Sequence, residues 1–198
     1  MKSLLLLFVL LLSSDSSGGE LPKNLLKLFK NTKTVHIVFN QKTVLPVAGN
    51  DVTLYRGEIF YRRPLKFLWR YTWGSRMEII SNGKEIETVF DDGSCQIAPL
   101  KENLNLFPLL LLAESPKKFL KEFQVVEDRR SGNSEVVVCR ARGKDPFFRE
   151  FVFFFKNGKL KSLKAVQSDG TEETFVLDRV EKNVPVKESL FRLKRCKG

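Results

Sequence analysis

The sequence predicts a mixed α+β, mainly β fold: one curved antiparallel sheet with helices laid over its concave face. Three observations carry this. About ten strand-like segments follow one another across short turn signals, a helical segment precedes them, and an almost wholly apolar insertion interrupts them midway. A composition of 42% hydrophobic residues is too apolar for a disordered chain, and 12 Gly and 8 Pro are too few for a fibrous one. A length of 198 residues suits one domain with a real core.

Taken in order, residues 1–19 read as a secretory signal peptide. Met1-Lys2 is a short positive start, Leu4 to Leu12 is wholly apolar, and Ser13 to Gly19 is small and polar around Asp15. The apolar run is far shorter than the roughly 20 residues a spanning helix needs, and no later segment is long enough either. Ser14-Asp15-Ser16 offers the best small-x-small cleavage point, and no Cys lies there to be lipidated. The expected organisation is therefore a signal peptide at 1–19 and one domain at 20–198, exported to the periplasm. Within that domain Leu21 to Asn31 predicts a helix, with Pro22 in its first turn and Leu21, Leu25, Leu28 and Phe29 at helical spacing.

Strands are predicted at 34–45, 51–62, 65–73, 76–81 and 85–90. Gly49-Asn50-Asp51, Gly74-Ser75, Asn82-Gly83 and Asp92-Gly93 punctuate them. Sequential short hairpins imply an antiparallel meander. The apolar stretch 103–113 holds Pro108, and Ser115-Pro116 opens a further short helix as N-cap and first residue. Five more strands follow at 122–128, 134–142, 147–156, 159–167 and 171–180, two of their hairpins closed by Asn157-Gly158 and Asp169-Gly170.

The net charge of +11 invites a nucleic-acid reading. Export argues against it, and so does the scatter of basic residues among acids. Only Arg192, Lys194, Arg195 and Lys197 form a dense cluster, suited to approaching anionic lipid or an acidic partner. Cys95, Cys139 and Cys196 carry no metal-ligand spacing; Cys95 and Cys139 can pair if their strands are neighbours. Catalysis has little to work with. His36 is the one imidazole and sits in a strand-like run, and no nucleophile, phosphate-loop or carboxylate-pair motif stands out. Neither a cofactor nor a metal is expected, and the protein is not expected to be an enzyme.

The informative segment is Arg62 to Trp73. Strand alternation puts Phe67, Trp69, Tyr71 and Trp73 on one face and Lys66, Arg70 and Thr72 on the other. Phe151, Phe153 and Phe155 repeat the pattern, with Phe148 and Phe154 expected on the reverse face. So many large apolar side chains can line a cavity, with Leu106 to Leu112 as its lid.

From about residue 21 to 180 the sequence resembles the LolA family of periplasmic outer-membrane lipoprotein carriers. The carrying motifs are Arg63-Pro64-x-x-Phe67-x-Trp69-x-Tyr71, with Phe39-x-Gln41-Lys42 and Gly57 before it. After it come Ser81-x-Gly83-Lys84, Pro108 with Leu109 to Leu112, Ala165-Val166 and Asp169-Gly170. The resemblance implies an unclosed antiparallel β-barrel of ten to eleven strands with helices over its concave apolar face. It implies a monomeric chaperone that holds the acyl chains of triacylated lipoproteins in transit from the inner to the outer membrane. Its partners would be an ATP-driven release complex of the inner membrane and, where one exists, an outer-membrane acceptor lipoprotein. It marks Phe67 and Trp69 as cavity lining, and Phe39, Tyr71, Leu109, Leu110 and Leu112 are expected to join them. It also implies that Arg63 latches the lid by donating to its backbone, the expected acceptors being the carbonyls of Leu112 and Ala113. At the end the sequence departs from the family, whose further strand carries a Phe and a Pro-x-Gly turn; here Ser189-Leu190-Phe191 runs straight into the basic tail, leaving that strand open. The alternative reading is a periplasmic lipid-binding or envelope-stress-sensing half-barrel, whose second C-terminal domain this chain has no room for.

Overall fold

The computed structural model describes residues 21–46, 49–194 and 196. The expected signal peptide and the tail residues Arg195 and Lys197 lie outside them. Eleven strands form one antiparallel sheet: β1 Thr34–Leu45, β2 Asp51–Arg62, β3 Lys66–Trp73, β4 Glu78–Asn82, β5 Glu85–Val89, β6 Cys95–Pro99, β7 Phe123–Ser131, β8 Ser134–Ala141, β9 Phe148–Lys156, β10 Lys159–Gln167 and β11 Glu172–Lys182. The spatial order is β6-β5-β4-β3-β2-β1-β11-β10-β9-β8-β7, so two meanders meet where β1 pairs with β11. Strands β6 and β7 remain edges, and the barrel is unclosed.

The chain between those two edges is the lid. It runs through a 3-10 segment Leu100–Leu106, helix α2 Pro108–Glu114 and helix α3 Pro116–Glu122, after helix α1 Lys23–Leu28 near the N-terminus. Pro108 and Pro116 each occupy a first helical position, where their missing N–H costs nothing. The Ser115 hydroxyl caps α3 by accepting from the Lys118 N–H at 3.4 Å. The apolar insertion is thus two short helical pieces kinked at Pro108, and α1 is shorter than its periodicity predicts.

The concave face is filled unequally. Toward β7 and β8 it is solid, with Phe119, Phe123, Val137, Phe153 and Phe155 buried, while Phe151 of β9 and Leu163 of β10 border both this core and the cavity. Beneath α2 and the 3-10 segment a second cluster gathers Val35, Tyr61, Phe67, Ile86, Leu100 and Ala113. The expectation that Phe148 faces the reverse side is corrected. The register of β9 slips between Glu150 opposite Val166 and Phe148 opposite Gln167, so Arg149 is an extra residue and Phe148 turns to the concave side.

After β11 the chain crosses to the convex face. The Thr34 hydroxyl holds it by donating to the Val184 carbonyl at 2.6 Å, and the Arg62 guanidinium does so by donating to Glu188 at 2.5 Å. The segment Glu188–Phe191 is a 3-10 turn, not a strand. Leu190 and Leu193 then cover Phe60, Leu68 and Ile80 on the outer face of β2–β4. This strap explains why Leu68, which points away from the cavity, is nonetheless buried.

Candidate functional site

Under the lid lies a cavity of about 300 Å³. Phe39, Phe67, Trp69, Tyr71, Leu109, Leu110 and Ala113 line it. Period-two alternation brings Phe67, Trp69 and Tyr71 to the concave face of β3, and exposure rises along the strand until Trp73 stands at the rim. Phe39 reaches them across Gly57. A Cβ at that glycine would lie 2.5 Å from Phe39 Cζ and 2.6 Å from the Arg70 carbonyl oxygen, so only glycine lets the ring settle there. Phe39 then meets Trp69, Tyr71 and Phe175 edge-on, at centroid distances of 5.3, 6.0 and 5.5 Å. Phe107, Phe148, Phe175, Leu177 and, near one end, Glu173 are among the other residues of the lining. Strand alternation picks out Phe175 and Leu177, but nothing in a single sequence separates a cavity wall from solid core.

Leu112 is a correction. It is 1% exposed and belongs to the packed cluster with Phe119, Phe123 and Phe151, because the turn of about 100° per residue in α2 puts it on the flank of the arc that presents Leu109, Leu110 and Ala113 to the cavity.

The lid is fastened at one corner by polar contacts. Arg63 donates to the Ala113 carbonyl and, at 3.4 Å, to the Phe29 carbonyl of the segment after α1. Among the described residues no such bond runs to the Leu112 carbonyl. Sequence reading missed the other half of the clasp. Glu114, the last residue of α2, accepts from the Tyr61 hydroxyl at 2.6 Å and from the Leu65 N–H at 2.9 Å. Burial and the Glu114 carboxylate push the Tyr61 hydroxyl well above the ordinary tyrosine value, with Arg63 opposing them. The hydroxyl therefore stays a donor. Arg63, Tyr61, Leu65 and Glu114 form one hydrogen-bonded corner where the β2–β3 turn meets the end of α2. A lone Glu after a Leu-rich run gives no sign of this, since it reads as a solvated helix end.

The convex face carries different chemistry. Cys95 of β6 is disulfide-bonded to Cys196, and Cys139 is free and fully buried on β8, so the pairing that strand neighbours would have allowed is corrected. Strands β6 and β8 are too far apart in the sheet order to bring Cys95 and Cys139 together. Burial pushes the Cys139 thiol up to about 12, which leaves it inert at neutral pH. Glu87, 0% exposed, accepts from the Lys194 N–H at 2.5 Å and from the Cys196 N–H at 3.0 Å. Glu87, Cys95 and Cys196 also bring a carboxylate and two sulfurs together, but the sulfurs are bonded to each other. Within the basic tail Lys194 pairs with Glu78 and Arg192 is exposed. His36 stacks on Phe60 with centroids 4.2 Å apart and lies 2.8 Å from Glu58, pointing away from the cavity.

A family model described as outer membrane lipoprotein carrier protein LolA matches residues 30–194. The chain belongs to the LolA family. An outer-membrane lipoprotein carrier protein of Pseudomonas putida (strain W619) is 25% identical over 187 residues, covering 93% of this chain and 87% of its own. One of Coxiella burnetii is 26% identical over 187 residues, covering 92% and 87%. Among solved structures, an uncharacterized conserved protein from Thermus thermophilus aligns with a TM-score of 0.50 at 8% identity, covering 86% of this chain and 93% of that one; that likeness concerns the fold alone. As a LolA family member the chain is a lipoprotein carrier built on an unclosed half-barrel.

Proposed function

We propose that this protein is a periplasmic chaperone that takes the acyl chains of triacylated lipoproteins into the cavity beneath α2 and carries them from the inner to the outer membrane. The observation that carries the reading is an almost wholly apolar cavity whose roof is pinned by a small set of hydrogen bonds at one corner. Each buried CH₂ contributes about 0.8 kcal/mol, so acyl chains do not cross water unaccompanied. A volume of about 300 Å³ is at the lower end of small-ligand sites, which run roughly 300–1,000 Å³. Three acyl chains therefore require the lid to lift.

Opening breaks the bonds from Arg63 to Ala113 and from Tyr61 and Leu65 to Glu114. Such bonds are worth about 0.5–1.5 kcal/mol each, up to about 3 where a charge is involved. The closed form thus sits a few kcal/mol below an open one, a gap that acyl burial can reverse and an acceptor can restore. Cargo would be loaded by an ATP-driven release complex in the inner membrane and delivered to an outer-membrane acceptor lipoprotein where one exists, the carrier acting as a monomer. Export would depend on the signal peptide at 1–19. The chain works by binding and release, with no catalytic step, cofactor or metal.

Mass spectrometry of the protein purified from a periplasm tests this. Triacylated lipoprotein is the expected passenger; a protein that stays free of lipoprotein under exchange conditions, or that carries another class of molecule, overturns it.

A further inference from the structure

The cavity wall contains a buried donor that makes no well-formed hydrogen bond among the described residues. The Trp69 indole Nε1–H is closed off from solvent and has no hydrogen-bond partner among the described residues. The Tyr71 hydroxyl is near enough for its dipole to interact with the indole, but no hydrogen bond of ordinary geometry joins them, and the hydroxyl spends its proton on Gln41. An indole nitrogen only donates, and a buried donor without an acceptor is rare because it forfeits its hydration for nothing.

Around it the wall is polar along one row. The Tyr71 hydroxyl donates to Gln41 Oε1 at 2.9 Å, and Gln41, 4% exposed, donates to Thr43 Oγ1 at 3.0 Å. On the neighbouring strand Glu173 lies opposite Thr43, lines the cavity, and accepts from Gln167 at 3.4 Å. These residues sit on the concave face of β1, β3, β10 and β11, at the end of the strands away from Arg63. Burial raises the Glu173 carboxyl above the ordinary carboxylate value, which favours its donor form.

We infer that this row is a recognition point for an acyl carbonyl: the amide or ester C=O at the head of a bound chain accepts from Trp69 Nε1–H, while Gln41, Tyr71 and Glu173 surround it with polar groups. The inference rests on the proposed acyl-carrier function and deepens it. The site reads the linkage as well as the methylenes, and it orients the chain with its carbonyl end in the polar row and its tail under α2.

The protein has two Trp, so a ¹⁵N-labelled sample shows two indole resonances, and Trp73→Phe assigns them. Titration with a triacylated lipopeptide is expected to move the Trp69 indole proton downfield. An analogue of equal chain length, with ether links and an N-alkyl group in place of the carbonyls, is expected to bind without that shift. Trp69→Phe, which keeps an aromatic wall and loses the donor, is expected to weaken the lipopeptide by roughly three- to tenfold and the analogue not at all. A lipopeptide that binds with the indole unmoved, or an analogue that moves it equally, overturns the carbonyl site and leaves the carrier function standing. A shift produced by dipalmitoyl phosphatidylglycerol alone keeps the carbonyl site but replaces lipoprotein with phospholipid as the source. Absence of binding by all three overturns both.

Discussion

Two segments lie across the sheet, α2 on its concave face and the chain after β11 on its convex face, and they are fastened by different chemistry. The lid is held at one corner by hydrogen bonds between the β2–β3 turn and the end of α2, through Arg63, Tyr61, Leu65 and Glu114. The strap is held by the Cys95–Cys196 disulfide, by Glu87 accepting two backbone N–H groups, and by Leu193 packed on Leu68 and Ile80. Hydrogen bonds exchange with ligand or water at small net cost, whereas a disulfide does not exchange in an oxidising compartment. Under the proposed carrier function the contrast predicts motion on the concave side and rigidity on the convex side, with the lid moving against a sheet that keeps its curvature.

The largest effect is expected from Cys95→Ser, which opens a loop of 101 residues. It should lower the unfolding free energy by about 2–4 kcal/mol in urea titrations while leaving cargo release at the wild-type rate. Faster release at unchanged stability would reverse the roles of strap and lid. Glu87→Ala leaves two backbone N–H groups without their buried acceptor and should cost about 1–3 kcal/mol. Because Glu87 and Cys95 hold the same tail, the double variant should fall short of the summed losses by more than about 0.5 kcal/mol; strict additivity would show that they act on separate elements. On the lid side Tyr61→Phe removes one bond to the Glu114 carboxylate, worth about 1.5–3 kcal/mol. Hydrogen exchange of the α2 amides should quicken roughly tenfold or more with little change in the urea midpoint. An equal change at Cys139 on β8 would mean global destabilisation instead.

The smallest effect concerns pH. Burial raises the Glu173 carboxyl above its ordinary 4.5, with Asp169 adding to the rise and the Gln167 hydrogen bond opposing it. The folded state then binds this proton more tightly than the unfolded chain does. Its contribution to stability is fully present below 4.5 and is lost as pH rises through the raised folded value. Glu173→Gln should flatten that part of the pH–stability curve. A decline of wild-type steepness in the variant would place the titration elsewhere.

The meander is legible because its hairpins are written in local chemistry: Asn157-Gly158 adopts positive φ at both residues, and Asn82 accepts the Lys84 and Glu85 N–H groups in a side-chain turn. Strand β6 is not, since Cys95–Pro99 is five residues long, ends in Pro and pairs only at an edge. The aromatic wall is legible from alternation along β3, whereas Phe148 is misplaced by a bulge that no local signal marks. Arg63 stands out through the Arg-Pro motif. Glu114, Glu87 and the Cys95–Cys196 bond depend on segments 49, 107 and 101 residues apart in sequence, contacts that alternation and turn chemistry do not encode.

The most direct test of a latched carrier is transfer of a triacylated lipopeptide from wild-type and Arg63→Leu protein to an outer-membrane acceptor. Removing the guanidinium removes the bonds to the Ala113 and Phe29 carbonyls and leaves only those to Glu114 to hold the closed lid. The balance should therefore shift toward the open, loaded form, so that the variant keeps its passenger and delivers little of it. Hand-over at the wild-type rate would contradict the latch, and with it the account of how this half-barrel lets its cargo go.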